Sequence, residues 1–174
     1  IIHYVGMSHF MRLVPQSDQS LTVSGSGGEI CVPAQSWHLA FFEVCDAQGY
    51  TPITSISAEM FDEYCPESWK QRAHDGSPAL TGWVPPSTLL AFRKGPARSF
   101  LRQVFSAFAN LMVDAGVPVR MQFGEPWWWV NADYAPCIYD DAARADFSGA
   151  APDIMDLREP MSPEQENVLA EAGK

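Results

Sequence analysis

The chain has 174 residues, 47% of them apolar and 18% charged, and 11 basic residues face 21 acidic ones for a formal charge of −10. That apolar content builds a substantial core and excludes wholesale disorder. An acidic surface repels phosphate, which argues against nucleic acid and anionic membranes as partners and leaves neutral ligands such as sugars open. No apolar run approaches the roughly 20 residues that span a bilayer, so membrane insertion is not expected.

The first element, Ile1-Ile2-His3-Tyr4-Val5, reads as a buried strand already under way. Residues 16–29 are rich in Ser and Gly and predict an exposed loop or hairpin connection. Pro33 then opens a helix in which Trp37, Ala40, Phe41, Val44 and Cys45 recur at helical spacing, with Gly49 as the stop. Residues 53–57 form a short β-favouring run that ends at Glu59. Residues 62–96 are polar and carry five prolines, Pro66, Pro78, Pro85, Pro86 and Pro96, without a clear period. Connections of that length in a compact domain are usually functional.

The clearest pattern lies at residues 97–115, where Phe100, Leu101, Val104, Phe105, Phe108, Leu111 and Met112 form one stripe between Pro96 and Gly116. Residues 117–123 read as a strand that opens on Gly124-Glu125-Pro126 and three tryptophans. Strands alternating with helices imply an α/β fold with parallel strands. The last residues, 163–174, look like the start of a helix. Both ends therefore suggest a piece of a longer polypeptide, a pattern that a processed terminus would share.

Four cysteines, Cys31, Cys45, Cys65 and Cys137, include no C-x-x-C pair. Free, mostly buried thiols are expected, with no metal site and no cofactor.

Two glutamates stand at the carboxyl ends of strand-like runs: Glu59 and Glu125. Parallel strands would put both on one face, and two carboxyls are the minimal equipment for glycoside hydrolysis, one as proton donor and one ionised. The alternative for each is a solvated loop carboxylate. Trp127, Trp128 and Trp129 follow at once; flat indoles suit the C–H faces of sugar rings, while core filling is expected for one or two of the three. Trp83 is a candidate sugar platform or a loop anchor. His9, after the first strand, is a candidate for the same face or a hydrogen-bonded structural residue. Tyr139 and Asp140, after one more strand-like run at Cys137-Ile138-Tyr139, either reach the cavity or cap a surface helix.

The combination Ser55-Ile56-Ser57-Ala58-Glu59, Trp69-Lys70-Gln71-Arg72, Thr81-Gly82-Trp83-Val84-Pro85-Pro86-Ser87-Thr88 and Phe123-Gly124-Glu125-Pro126-Trp127-Trp128-Trp129 resembles the TIM-barrel, glycosidase-like modules of phage tail and gene-transfer-agent baseplate proteins. The likeness covers roughly residues 50 to 145. Gly-Glu-Pro also resembles the Asn-Glu-Pro acid/base motif of retaining barrel glycosidases, with Gly124 where the family has Asn. Since a full barrel needs about 250 residues, the chain is expected to be a single glycoside-hydrolase-like domain over residues 1–174 that forms a partial or reduced (β/α) barrel.

The resemblance implies a hydrolase of cell-surface or cell-wall polysaccharide, with Glu125 as acid/base, Glu59 as second carboxylate, and a place in the virion tail beside other tail or baseplate subunits, assembled in the bacterial cytoplasm. The second reading is a non-catalytic structural or glycan-binding tail module on the same scaffold.

Overall fold

The computed structural model describes residues 1–25, 29–93, 95–125, 127–147 and 151–174. Residues 26–28 of the expected Ser/Gly loop, and Pro126, fall outside the described residues.

Three strands, β1 (Ile2–Val5), β4 (Ile53–Ser57) and β7 (Met121–Gly124), form a parallel sheet in the order β1-β4-β7. Helix α1 (Val32–Ala47) leads from β1 to β4, and helix α2 (Pro96–Asp114) leads from β4 to β7. Each new strand is thus added on the same side, as in the successive β/α units of a barrel. Among the described residues the sheet remains a three-stranded sector and does not close. The expected α/β fold with parallel strands is present, as a partial sheet without a closed barrel.

The two connections from helix to strand are short, residues 48–52 and 115–120, whereas those from strand to helix are long, residues 6–31 and 58–95. Gly49 and Gly116 make the short ones possible, because both take a left-handed backbone (φ +69 and +80°) just past a helix end. The long ones carry extra structure: an antiparallel hairpin of β2 (Leu13–Pro15) and β3 (Leu21–Val23), and a ribbon of β5 (Glu59–Phe61) and β6 (Ser87–Leu89). All the elaboration therefore gathers at the carboxyl edge of the parallel strands. The last strand, expected over residues 117–123, begins only at Met121; Pro118 has no N–H to give a ladder.

Alternation assigns the sheet faces. His3 lies on Phe41 of α1 at 4.5 Å between ring centroids, Thr54 donates to the Met112 sulfur of α2 at 3.6 Å, and Phe123 meets Phe105 at 5.6 Å. These three residues look toward the helices, so Ile2, Tyr4, Ser55, Ser57, Gln122 and Gly124 lie on the other face, the interior side of a barrel. Closed barrels fill that side with branched apolar residues. Here it is small or polar at the carboxyl end.

The main core lies between sheet and helices, with Phe10, Phe42, Phe100, Val104, Phe108 and Met112 without solvent exposure. The α2 stripe is buried as its period predicts, except that Phe105 sits at the margin, only partly buried. A second core forms around Ile138, Tyr139, Ile154 and Val168, beside the short helix α3 (Asp141–Arg144) and the terminal helix α4 (Pro163–Ala172). All four cysteines are free, and three of them are buried.

Two imidazoles, His3 and His38, lie 5.2 Å apart between β1 and α1. His38 Nδ1 donates to the Ala34 carbonyl at 2.7 Å. Burial, helped by the charge of His38, pulls His3 down to about 4, and burial also lowers His38. The unfolded chain therefore binds more protons than the folded one between pH 6.5 and 4, so this part of the stability is present above pH 6.5 and is lost as pH falls toward 4. With His3 only partly buried, the loss expected from it is about 1–2 kcal/mol. Urea melts at neutral pH and near pH 4 check it: the wild type should lose more stability than His3→Phe across that interval.

Candidate functional site

The register aligns Ser57 of β4 with Gly124 of β7, which puts Glu59 and Glu125 just past two neighbouring strand ends, at one edge. Glu125 has a left-handed backbone, φ +56°, that costs a non-glycine residue about 1–2 kcal/mol. Its carboxylate is held from two sides. The Tyr4 hydroxyl, from β1, donates to Oε1 at 2.8 Å, and the Ser57 hydroxyl, from the end of β4, donates to Oε2 in a very short contact. Ser57 Oγ in turn accepts the backbone N–H of Glu59 at 3.2 Å. One hydrogen-bonded chain thus crosses all three parallel strands.

Gly124 lies in tight contact with the neighbouring strand β4. A Cβ there would stand 3.1 Å from the Ile56 carbonyl oxygen and 3.6 Å from Ser55 Oγ. An Asn here, as in the glycosidase motif, would require β4 to give way by a few tenths of an ångström. The difference follows from close strand contact.

Burial first, and then the negative charge of Glu125, raise the Glu59 carboxyl above its ordinary range. Partial burial and the two nearby carboxylates likewise push the Tyr4 phenol up, although its contact with Ser57 opposes them, which keeps Tyr4 a donor at neutral pH. The edge thus pairs an acid that holds its proton more firmly than usual with a carboxylate fixed by two hydroxyls. Such a pair can hold a hydroxyl-rich ligand, or pass a proton between groups.

The other expected site residues disperse. Trp127 is 50% exposed, and its carbonyl accepts from Gln71 Nε2 at 3.2 Å. Trp128 stacks near Phe92 at 4.7 Å and donates to the Ala172 carbonyl, while Trp129 packs on a small cluster of Ala73, Ala79, Leu89 and Cys137. Two of the three indoles are therefore partly buried and pack on apolar neighbours. Trp83 is 52% exposed in the loop before β6. His9 closes a 3-10 turn, Met7–His9, directly past β1, with its ring over Gly6.

Tyr139 is buried in the second core, where its hydroxyl donates to the Pro152 carbonyl and accepts the Ile154 N–H. Asp140 caps α3, accepting from Ala142 and Ala143 N–H at 3.1 Å each, and burial raises its carboxyl despite those bonds. No strand forms at residues 137–139. Cys137 instead donates its N–H to the Trp129 carbonyl, a loop pairing that satisfies the backbone without a sheet.

Sequence reasoning overlooked Tyr4, Ser57 and Gln71. Tyr4 and Ser57 carried a signal in retrospect, as polar residues at alternate positions of apolar strands. Gln71 carried none. The run Trp69-Lys70-Gln71-Arg72 is structural: Trp69 packs on Phe100, Lys70 is buried between Asp62 and Glu67 at 2.7 and 2.6 Å, and Arg72 also pairs with Glu67.

All of residues 1–174 match the family of the non-contractile tail sheath protein TIM barrel. The chain belongs to that family. It is a structural module of a phage tail, a place that implies contact with other tail subunits. The tail sheath match bears out the tail and barrel parts of the resemblance and lends no support to its glycosidase part. No curated protein and no solved structure matches the chain. Among the described residues of this tail sheath domain, no helix is long and apolar enough to cross a membrane.

Proposed function

We infer that the domain is a non-catalytic structural module of the tail, and that Tyr4, Ser57 and Glu125 lock its carboxyl edge. The observation that carries this reading is the carboxylate of Glu125, both of whose oxygens are taken up by hydroxyls from the two other strands. A strained backbone held by such bonds is explained by rigidity alone. The lock would keep the long strand-to-helix connections in place as a surface for neighbouring subunits. Assembly in the bacterial cytoplasm belongs to the same proposal.

Glycoside hydrolysis is the second reading, favoured by one observation: Glu59, raised by burial, stands within electrostatic reach of Glu125. In that reading Glu59 would be the proton donor, Glu125 the ionised partner, and a surface polysaccharide the substrate. The tight contact at Gly124, where the glycosidase motif has the larger Asn, weighs against it.

Purified host-envelope polysaccharide, incubated with the wild type, Glu59→Gln and Glu125→Gln, separates the two. No new reducing ends should appear with any of them, while Glu125→Ala should lose about 2 kcal/mol of stability by removing the charged acceptor of two bonds. Glu59→Gln should raise the melting temperature at pH 7. A carboxyl whose folded pKa is raised contributes stability below its unfolded value and loses it as pH rises through the folded one, so the gain should fade toward acid. Turnover by the wild type that Glu125→Gln abolishes would replace the structural reading with the hydrolytic one.

A further inference from the structure

Strand β1 is an outer strand of the parallel sheet among the described residues, and its two faces meet unlike surroundings. Ile2 and Tyr4 are largely exposed, so the hold of β1 on the helices rests on Val5, in the main core, and on His3. The His3 ring lies 4.5 Å from Phe41, 5.7 Å from Trp37 and 5.2 Å from His38, all on α1. Tyr4, the next residue, turns to the other face and donates to Glu125. One short strand thus carries an imidazole on one side and half of the Glu125 clamp on the other.

The surroundings of His3 suit a neutral ring and not a charged one. Its Nε2 has no solvent contact and no hydrogen-bond partner. Protonation makes that atom an N–H donor, and a buried donor without an acceptor carries its own desolvation cost. From α1 it meets Trp37, Phe41, Phe42 and His38, from β4 Thr54 stands beside it in register, and Phe108 of α2 lies behind His38. Among the described residues the titratable group that acts on His3 is His38, a second imidazole, and no carboxylate is placed to neutralise either ring. Attraction of an imidazolium to the faces of Trp37 and Phe41 offsets only part of the cost.

The two histidines differ in freedom. His38 sits within α1, buried and tied through Nδ1 to the Ala34 carbonyl. His3 stands on an outer strand and reaches water if β1 lifts away from α1.

We propose that the His3–His38 pair is an acid switch for the Tyr4–Glu125 clamp. Protonated His3 leaves its ring pocket for water, β1 lifts, and Tyr4, one residue on, is drawn off Glu125. A strand cannot shift one face without shifting the other, which couples the two sides. The open form binds more protons than the closed one below the ordinary histidine range, so opening is favoured as pH falls from 6.5 toward 4. The carboxyls of Glu125 and Glu59 act on Tyr4, on the opposite face. This inference rests on the reading of Tyr4, Ser57 and Glu125 as a lock, and adds what releases it.

Amide exchange and NMR of the whole chain test it, with rates corrected for the intrinsic effect of pH on exchange. Between neutral pH and about pH 4.5, protection of the β1 amides should fall at least about tenfold, and by more than that of α2. The Tyr4 ring resonances should move with the same midpoint as those of His3. His3→Phe keeps an aromatic ring that takes no proton, and should abolish the fall. The paired titration of His3 and Tyr4 needs the wild type alone, so it decides the matter even if that variant does not fold. A His3 ring that titrates while Tyr4 stays in place overturns the proposal. So does an acid opening that persists in His3→Phe, which belongs to the carboxyls.

Tyr4→Phe separates this switch from the lock it acts on. At neutral pH it should already speed exchange of the β1 amides. Unchanged exchange in Tyr4→Phe removes the lock itself. Faster exchange there, beside a wild type indifferent to acid, removes the switch and leaves the lock.

Discussion

Phe108→Ala should destabilise the domain by about 3–5 kcal/mol, the usual cost of deleting a fully buried aromatic ring. Phe108 has no solvent exposure and packs edge-on against Phe10 at 5.0 Å and His38 at 4.9 Å, which ties α2 to both α1 and the turn after β1. Phe105→Ala, three residues earlier on the same helix, should cost about half as much or less, because Phe105 is only partly buried and already faces the open groove between α2, β7 and the end of α4. Guanidinium unfolding of the two variants checks the contrast. Equal losses would mean that the groove is closed in solution.

Gln71→Leu should cost about 2–4 kcal/mol although it replaces a polar residue with an apolar one of similar size. Gln71 is fully buried, and its amide serves three backbone groups: Nε2 donates to the Leu90 and Trp127 carbonyls at 3.2 Å each, and Oε1 accepts the Trp129 N–H at 2.8 Å. Leucine satisfies none of them, and each buried group left without a partner carries its own desolvation penalty. The loss should also show locally. Hydrogen exchange at the Trp129 amide should accelerate far more than at amides of α2, because this one side chain joins the β5–β6 segment to the tryptophan run.

Local pattern was enough for the elements that repeat. The α2 stripe, the strand at residues 53–57, and the two helix stops at Gly49 and Gly116 were all legible, because period and glycine chemistry act within a few residues. Alternation of strand and helix then led to the parallel sheet, and with it to the shared edge of Glu59 and Glu125. Residues 62–93 were not legible. Their order comes from single long-range bonds, such as those of Gln71 with Leu90, Trp127 and Trp129, which have no period and leave no mark on the neighbouring sequence.

The same distinction separates the candidate residues. By itself the sequence determined which side chains were available at the strand ends, since those positions follow from local β propensity and from the turn residues behind it. Only the tertiary structure decided what they do. It packed Trp128 and Trp129 on apolar neighbours, spent Asp140 on a helix cap, and brought Tyr4 across the sheet to Glu125. These outcomes depend on partners 44 to 121 residues away for Trp128 and Tyr4. Such contacts are selected by the packing of the whole sheet and by the need to satisfy each buried polar group, and neither constraint is written in any short stretch of chain.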